Sequence, residues 1–215
     1  MASSKKFSSR RLTRTKGRRP PYDRVLIVCE GKKTEPLYFD DIRKKNRIPS
    51  AHVNVLHSDL GTQPWQVVDF AVSTFEKSKE FEWIFAVFDR DDHTTYHDAL
   101  TRAQALDKKL KNSERKAVRF IAIPSVPCFE LWLLLHFLNQ QAFCDRHETL
   151  HRLRQHIPDY NKGQIGIFGL TEARIPVAEA RAGWLRANFN AYTGTDPYTD
   201  VDVLVLKLLS LVGSA

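Results

Sequence analysis

Acidic side chains follow two apolar runs of the sequence at the points where those runs end. Glu30 comes directly after 25-VLIVC-29, and Asp89 and Asp91 come after 83-WIFAVF-88. In an extended segment Asp89 and Asp91 point to the same side, because side chains alternate along a strand. Two carboxylates on one side repel each other unless a cation lies between them, and oxygen ligands are typical of Mg²⁺ or Mn²⁺ sites. The pattern predicts a metal site at these three acids, with turn or capping aspartates as the structural alternative.

The glycine and lysines after Glu30 raise the question of a phosphate-binding loop. A Walker-type loop needs a glycine five positions before its Gly-Lys pair. Leu26 occupies that position, inside the apolar run, so the spacing excludes such a loop. Gly31 is instead expected to give the backbone room to turn sharply. Lys32 and Lys33 are candidates to attract a phosphodiester.

The elements that must position these residues are short apolar runs alternating with amphipathic stretches. This alternation is typical of right-handed βαβ units with a mostly parallel sheet, and so of an α/β fold. In such sheets ligands bind at the carboxyl ends of the strands, where the acids lie. The expected strands are 25–29, 53–55, 83–88 and 118–123, and the expected helices between them are 35–45, 64–77 and 99–110.

After Pro124 the pattern becomes helical, which predicts a helical extension over 124–215 that covers the sheet. It gives no sign of an independent domain, so 23–215 is expected to form a single domain. The expected helices are 128–137, 145–155, 178–189 and 201–211, with a glycine-containing loop at 158–169.

The first 22 residues differ in composition from the rest. They contain eight basic residues and no acidic one, which accounts for the whole formal net charge of +8. Such a segment cannot bury enough apolar area to fold alone, so a disordered basic arm is expected at 1–22. Contact with nucleic acid is its expected role, against a transit peptide or a solubilising tail. The arginines expected to make this contact are Arg10, Arg11, Arg18 and Arg19.

Hydropathy and cysteine content indicate the compartment. No apolar run approaches the roughly 20 residues that a membrane span needs. The three cysteines are widely spaced and odd in number, which argues against a disulfide scaffold and for a reducing compartment. We therefore expect a cytoplasmic protein without a membrane partner.

Several short motifs together resemble known families. VLIVCEGKKTEP and FAVFDRDD resemble a Toprim domain, with its strand-terminal Glu-Gly and its Asp-x-Asp. Three later segments are similar to the RloB family, which is found beside restriction and phage-defence loci. The resemblance covers nearly the whole chain after the basic leader. The three segments are PCFELWLLLHF at 127–137, YNKG at 160–163 and DPYTDVDVLV at 196–205.

The resemblance implies a Toprim-like fold and a Mg²⁺- or Mn²⁺-dependent nuclease acting on DNA or RNA, tRNA included. It also implies a phage-defence effector of the abortive-infection type that works with an ABC-type ATPase, and it leaves a homodimer open. By position, Glu30 would be a metal ligand or general acid/base, and Asp89 and Asp91 would hold the metal. Glu35 could bind a second ion. Two further residues that match the family motifs are expected in the site: Glu130 of Phe-Glu-Leu-Trp, and Lys162 as neutraliser of the scissile phosphate.

Three other interpretations stay open at this point. A Toprim fold that binds nucleic acid or a nucleotide without cutting, regulated by its partner, is the main alternative. Residues 147–151 match the zinc-protease pattern H-E-x-x-H. Arginines at positions 146 and 152 flank that pattern and favour a solvated basic helix face, so zinc proteolysis is a remote alternative. His93 is expected to be a polar residue at a helix start, with substrate contact as the alternative.

Overall fold

The computed structural model describes residues 23–91, 93–194 and 197–212. The basic segment 1–22, with Arg10, Arg11, Arg18 and Arg19, lies outside the described residues. The expectations for that segment therefore stay predictions.

One five-stranded sheet forms the centre of the molecule. Its strand order is β2-β1-β3-β4-β5, with three parallel pairings and an antiparallel pairing of β4 with β5. This mostly parallel sheet confirms the expected α/β class and agrees with a Toprim-like fold. The strands are β1 (Val25–Cys29), β2 (Val53–His57), β3 (Trp83–Asp89), β4 (Arg119–Val126) and β5 (Tyr198–Thr199).

Helices cover both faces of the sheet. Helices α2 and α3 contact one face, and α1 and α8 contact the other. The helices are α1 (Thr34–Lys45), α2 (Pro64–Ser78), α3 (Tyr96–Leu106), α4 (Glu130–Leu135), α5 (Arg146–His156), α6 (Ile167–Thr171), α7 (Ile175–Asn188) and α8 (Val201–Ser210), with a 3-10 turn at Glu172–Arg174. Among these described helices, none combines the length and the hydrophobicity needed to cross a bilayer.

Strand β1 shows why its sequence is an unbroken apolar run. Leu26 and Val28 pack into the core under α2 and α3, whereas Val25, Ile27 and Cys29 pack into the core on the opposite face. Both sets are fully buried. A strand buried on both faces needs apolar side chains at every position, as parallel sheets between helical layers require.

The structure extends the expected elements near the carboxyl end of β4. This strand continues past Pro124 to Val126, because Pro124 lacks only its N–H and its carbonyl accepts a hydrogen bond from the Asp200 amide at 3.2 Å. The two-residue β5 is too short to give an alternating pattern. Helix α6 begins inside the expected loop 158–169, while α4, α5, α7 and α8 confirm the helical extension.

The sheet order places a crevice between β1 and β3. The chain leaves β1 for β2 on one side, then crosses back to β3 on the other, so the connections diverge at the carboxyl ends of β1 and β3. Ligand sites in open α/β sheets lie at such switch points. The Glu30 amide donates to the Val87 carbonyl at 2.9 Å, which fixes the first acidic residue at this edge.

An ion pair joins the last two helices, and it generates a stability prediction. Arg186 of α7 donates from both terminal nitrogens to the two carboxylate oxygens of Asp202 at the start of α8, each at 2.6 Å. Asp202 is 1% exposed. Replacing Arg186 by alanine would leave a buried carboxylate unpaired, so we expect the free energy of unfolding to fall by about 3–5 kcal/mol.

Urea unfolding followed by circular dichroism measures this loss. Lys44→Ala is the matched control, because Lys44 pairs with Asp40 at 2.6 Å while remaining 63% exposed. Such an exposed pair contributes at most about 1 kcal/mol. Equal effects of the two substitutions would contradict the role assigned to the buried pair.

Candidate active site

A pocket of about 290 Å³ opens at the carboxyl ends of β1 and β3. We call it the acidic pocket, because four of the residues that line it are carboxylates. Of the site residues predicted in the described part of the chain, only Asp91 is absent from its lining. The predicted residues that line it are Glu30, Lys32, Lys33, Glu35, Asp89, Glu130 and Lys162.

Glu30 is held in place by the end of β3. Its Oε2 accepts the Asp89 backbone N–H at 3.0 Å, and its Oε1 lies 3.3 Å from the His93 Nε2. Burial raises the pKa of Glu30, and the nearby Asp91 charge acts in the same direction. The Asp89 amide and His93 act in the opposite direction, since both favour the carboxylate. The side chain is thus a buried, oriented ligand.

Three ligating groups converge beside Glu30. The ligand atoms of Glu30, Asp91 and His93 all lie within 4.8 Å of one another, and the described residues contain no other such group of three. Asp89 and Glu35 line the neighbouring acidic pocket and lie outside this group. His93 was expected as a polar residue at a helix start, but α3 begins only at Tyr96. Its position two residues after Asp91 was the signal that could have included it.

The two aspartates approach each other through a turn. β3 ends at Asp89, and Asp91 has a φ of 35°, in the left-handed region. The expected alternation along an extended segment therefore does not describe them. Both carboxylates nevertheless contact the same cation, whose positive charge offsets the repulsion between them.

That cation is the guanidinium of Arg146. Its Nη2 donates to Asp89 Oδ2 at 3.2 Å and also contacts Asp91 Oδ2. Arg146 is the first residue of α5, whose N-cap Asp145 accepts the Glu148 amide at 2.8 Å. The sequence interpretation used Arg146 only as an argument against zinc. Arg146 lies 57 residues after Asp89, and no local pattern connects the two.

Glu35 is a buried acid of the pocket whose pKa lies close to neutral pH. It is 7% exposed, and burial raises its pKa to about 7, with the charges of Glu130 and Glu30 adding to the effect. Its carboxylate lies against Gly31, where a Cβ would come within 2.3 Å of Glu35 Oε2. The chain bends from Glu30 to Lys33, as expected, although Gly31 does not have a positive φ, and the glycine also leaves space for the Glu35 carboxylate.

Asp89 is buried more completely than Asp91 and is surrounded by acids. Burial raises its pKa well above the ordinary range, and the charges of Glu35, Glu30 and Glu130 reinforce the shift. An acid in these surroundings is ionised only when a cation compensates it, which explains its contact with a guanidinium.

Glu130 connects the acidic pocket to the segment 160–163. It is 2% exposed, accepts a hydrogen bond from the Tyr160 hydroxyl at 3.2 Å, and has Lys162 Nζ at 3.6 Å. The Gly163 amide donates to Thr34 Oγ1 at 3.2 Å, at the start of α1. These contacts hold the half-exposed Lys162 at the pocket mouth. Glu130 thus positions the segment that carries the lysine.

The H-E-x-x-H motif at 147–151 forms no metal centre among the described residues. Its glutamate, Glu148, pairs with Arg152 at 2.6 Å, and His151 Nε2 lies 3.4 Å from a nitrogen of Gln155. The three-membered ligand group of the described chain contains neither histidine. His147 and His151 are exposed, but Arg146 contacts Asp89 and Asp91 and Arg152 pairs with Glu148, so the flanking arginines do not form the expected solvated basic face.

Comparison with protein families gives a match over most of the chain. The family model described as RloB-like protein matches residues 25–208. No curated protein and no solved structure matches the chain.

The raised pKa of Glu35 predicts how stability depends on pH. Because its folded pKa of about 7 exceeds the ordinary value of 4.5, the folded state holds the proton more tightly than the unfolded chain. Protonated Glu35 therefore contributes to the free energy of unfolding in full below pH 4.5, and this contribution is lost as the pH rises through 7. Glu35→Gln should therefore exceed the wild type in unfolding free energy at pH 8 by on the order of 3 kcal/mol, and match it at pH 4.

Urea unfolding in EDTA at several pH values measures this difference. Glu172→Gln is the control, since the Glu172 side chain is 39% exposed. Parallel pH profiles of unfolding free energy for the wild type and Glu35→Gln would contradict the raised pKa of Glu35 in the folded state.

The position of Arg146 predicts competition with a divalent metal ion. Replacing it by methionine leaves the buried aspartates without their cation, so Mn²⁺ should bind more tightly, by roughly tenfold. Titration calorimetry with Mn²⁺ measures the change, and Arg152→Met on the same helix is the control. Weaker Mn²⁺ binding by Arg146→Met would mean that the guanidinium positions the metal ligands.

Proposed function

The chain belongs to the RloB-like protein family, and from this premise we propose that it is a metal-dependent nuclease whose site is the acidic pocket together with the adjoining ligand group of Glu30, Asp91 and His93. The observation that carries the proposal is the convergence of Glu30, Asp91 and His93 within 4.8 Å at the switch point of the sheet. The Toprim-like motifs that contain Glu30 and Asp91 point to the same chemistry. Lysines beside these acids supply the affinity for phosphate that a purely acidic site lacks.

The donor set fits a divalent cation. Glu30 is buried and oriented by two hydrogen-bonding groups, and Asp91 and His93 provide a second oxygen and a nitrogen. Mg²⁺ prefers oxygen ligands, whereas an imidazole among carboxylates suits Mn²⁺ at least as well. Glu30, Asp91 and His93 would hold the ion. When bound, it supplies charge stabilisation at the phosphodiester and activation of water.

The basic residues of the pocket bind and orient the substrate. Lys32 and Lys33 precede α1, so a phosphate at the pocket mouth meets two ammonium groups and the positive end of the helix dipole. Lys162 approaches from the opposite segment, with its side chain 50% exposed. Three cations around one opening favour the negative charge that develops on a phosphodiester during cleavage.

Glu35 and Arg146 have the properties of supporting groups in the reaction. A carboxyl group with a pKa of about 7 can both accept and release a proton at neutral pH, which is what a general acid or base must do. The Arg146 guanidinium contacts Asp91 and also lines the acidic pocket. An ion held by Asp91 would replace the guanidinium as its counter-charge, and Arg146 would then be placed to bind a phosphate oxygen.

The biological setting follows from the family resemblance. We propose that the nuclease acts on DNA or RNA as a phage-defence effector and is controlled by an ABC-type ATPase partner. The non-catalytic binding module is the second candidate. The observation in its favour is that Arg146 already neutralises Asp89 and Asp91, so the acids are satisfied without metal.

The nuclease proposal predicts cleavage that depends on metal and on the ligand group. Single-stranded DNA, duplex DNA and total tRNA are incubated with the protein in Mn²⁺, Mg²⁺ or EDTA. Removing one ligand with Glu30→Gln, Asp91→Asn or His93→Ala should lower the cleavage rate by about 100-fold or more. Mn²⁺ should support cleavage at least as well as Mg²⁺.

Asp98→Asn is the matched control, because Asp98 is an exposed acid on α3 outside both the ligand group and the acidic pocket. The same assays are repeated with the ATPase partner present. Metal-dependent binding without cleavage in both settings would favour the non-catalytic module. Cleavage in EDTA, or unchanged cleavage by the three variants, would contradict the site.

A further inference from the structure

A second, larger cleft adjoins the metal-ligand group. It has a volume of about 560 Å³, within the range of roughly 300–1,000 Å³ that small-ligand sites occupy. We call it the aromatic cleft. It shares Arg146 with the acidic pocket, and Asp91 and His93 form part of its wall. The remaining lining residues are Arg90, Val126, Pro127, Phe143, Asp145 and His147; Asp145 is the N-cap of α5 and accepts the Glu148 amide.

Phe143 gives this cleft an open aromatic surface. Its side chain is 60% exposed, and it is the only phenylalanine of the described residues that the fold leaves exposed. It lies in the segment between α4 and α5, with Val126 and Pro127 as further apolar lining. An exposed aromatic face is a stacking surface for a planar ring.

The same cleft carries donors suited to a phosphate or to a base edge. Arg90 and His147 line it together with Arg146. Guanidinium and imidazole groups donate to phosphate oxygens and to base edges, so the wall of the cleft offers a nucleotide both positive charge and hydrogen-bond donors.

We infer that the aromatic cleft binds the nucleotide next to the scissile phosphate, with its base stacked on Phe143. This inference rests on the proposed nuclease function, since the proposed metal ligands Asp91 and His93 line the cleft and the third ligand, Glu30, lines the acidic pocket. A paired base within a duplex is already stacked on both faces and cannot reach an aromatic ring. The substrate is therefore single-stranded, or unpaired at this position, and RNA and single-stranded DNA both offer the required base.

The test measures binding of a ten-nucleotide strand by fluorescence anisotropy in EDTA, where cleavage does not interfere. Single-stranded RNA, single-stranded DNA and a paired duplex are compared. Phe143→Ala should weaken binding of a single strand by about tenfold, the loss expected for one stacked base, and leave duplex binding unchanged. Phe143→Trp should restore the affinity, and Trp184→Ala, a partly exposed aromatic outside both pockets, should have no effect.

An abasic scan of the same strand locates the stacked base. One abasic position should weaken binding to the wild type and make no difference to Phe143→Ala. Equal affinity of the wild type and Phe143→Ala for single strands would overturn the inference and leave the nuclease proposal intact. Metal-dependent cleavage of duplex alone would also overturn it. Loss of single-strand binding on Phe143→Ala without any cleavage by the wild type would support the cleft and contradict the nuclease.

Discussion

Several carboxylates are buried together where β1 and β3 end, and this arrangement requires compensation from the rest of the molecule. Glu30, Glu35, Asp89 and Glu130 are each at most 9% exposed. Burial and mutual repulsion both disfavour their ionised forms, as the raised pKa values of Glu30, Glu35 and Asp89 record. A cation that contacts these carboxylates therefore stabilises their ionised forms, and with them the fold, and it also sets the charge of the site.

Two of the four cationic side chains that line the acidic pocket come from the carboxyl-terminal half of the chain, and the other two are Lys32 and Lys33. α5 presents Arg146 to the aspartates, and the segment 160–163 brings Lys162 to Glu130. The ends of β1 and β3 thus supply Glu30 and Asp89, α1 and α4 supply Glu35 and Glu130, and the helical extension supplies Arg146 and Lys162. The two are further joined by one apolar core, in which Ile27 of β1 and Leu208 of α8 both take part. A substitution that displaces Arg146 or Lys162 therefore changes the charge that surrounds these acids.

The sequence predicted those features that depend on neighbouring residues. β1 has the expected bounds, because its five apolar residues are buried on both faces, and the acids after β1 and β3 line the expected edge. Features that depend on contacts between residues far apart in the sequence could not be predicted from it. Arg146 reaches Asp89 only through the packing of α5, and β5 consists of two residues paired with β4. The space that Gly31 leaves for Glu35 was not predictable either, because it depends on the position of the Glu35 carboxylate in the fold.

We propose that Glu30, Asp91 and His93 form a divalent metal site from which Arg146 must withdraw. Crystals grown with Mn²⁺, and measured at its absorption edge, test this site directly through the anomalous difference map. We expect one strong peak within bonding distance of all three side chains, with the Arg146 guanidinium displaced from Asp91. A peak at His147 and His151, or no peak with Arg146 still bridging Asp89 and Asp91, would contradict it.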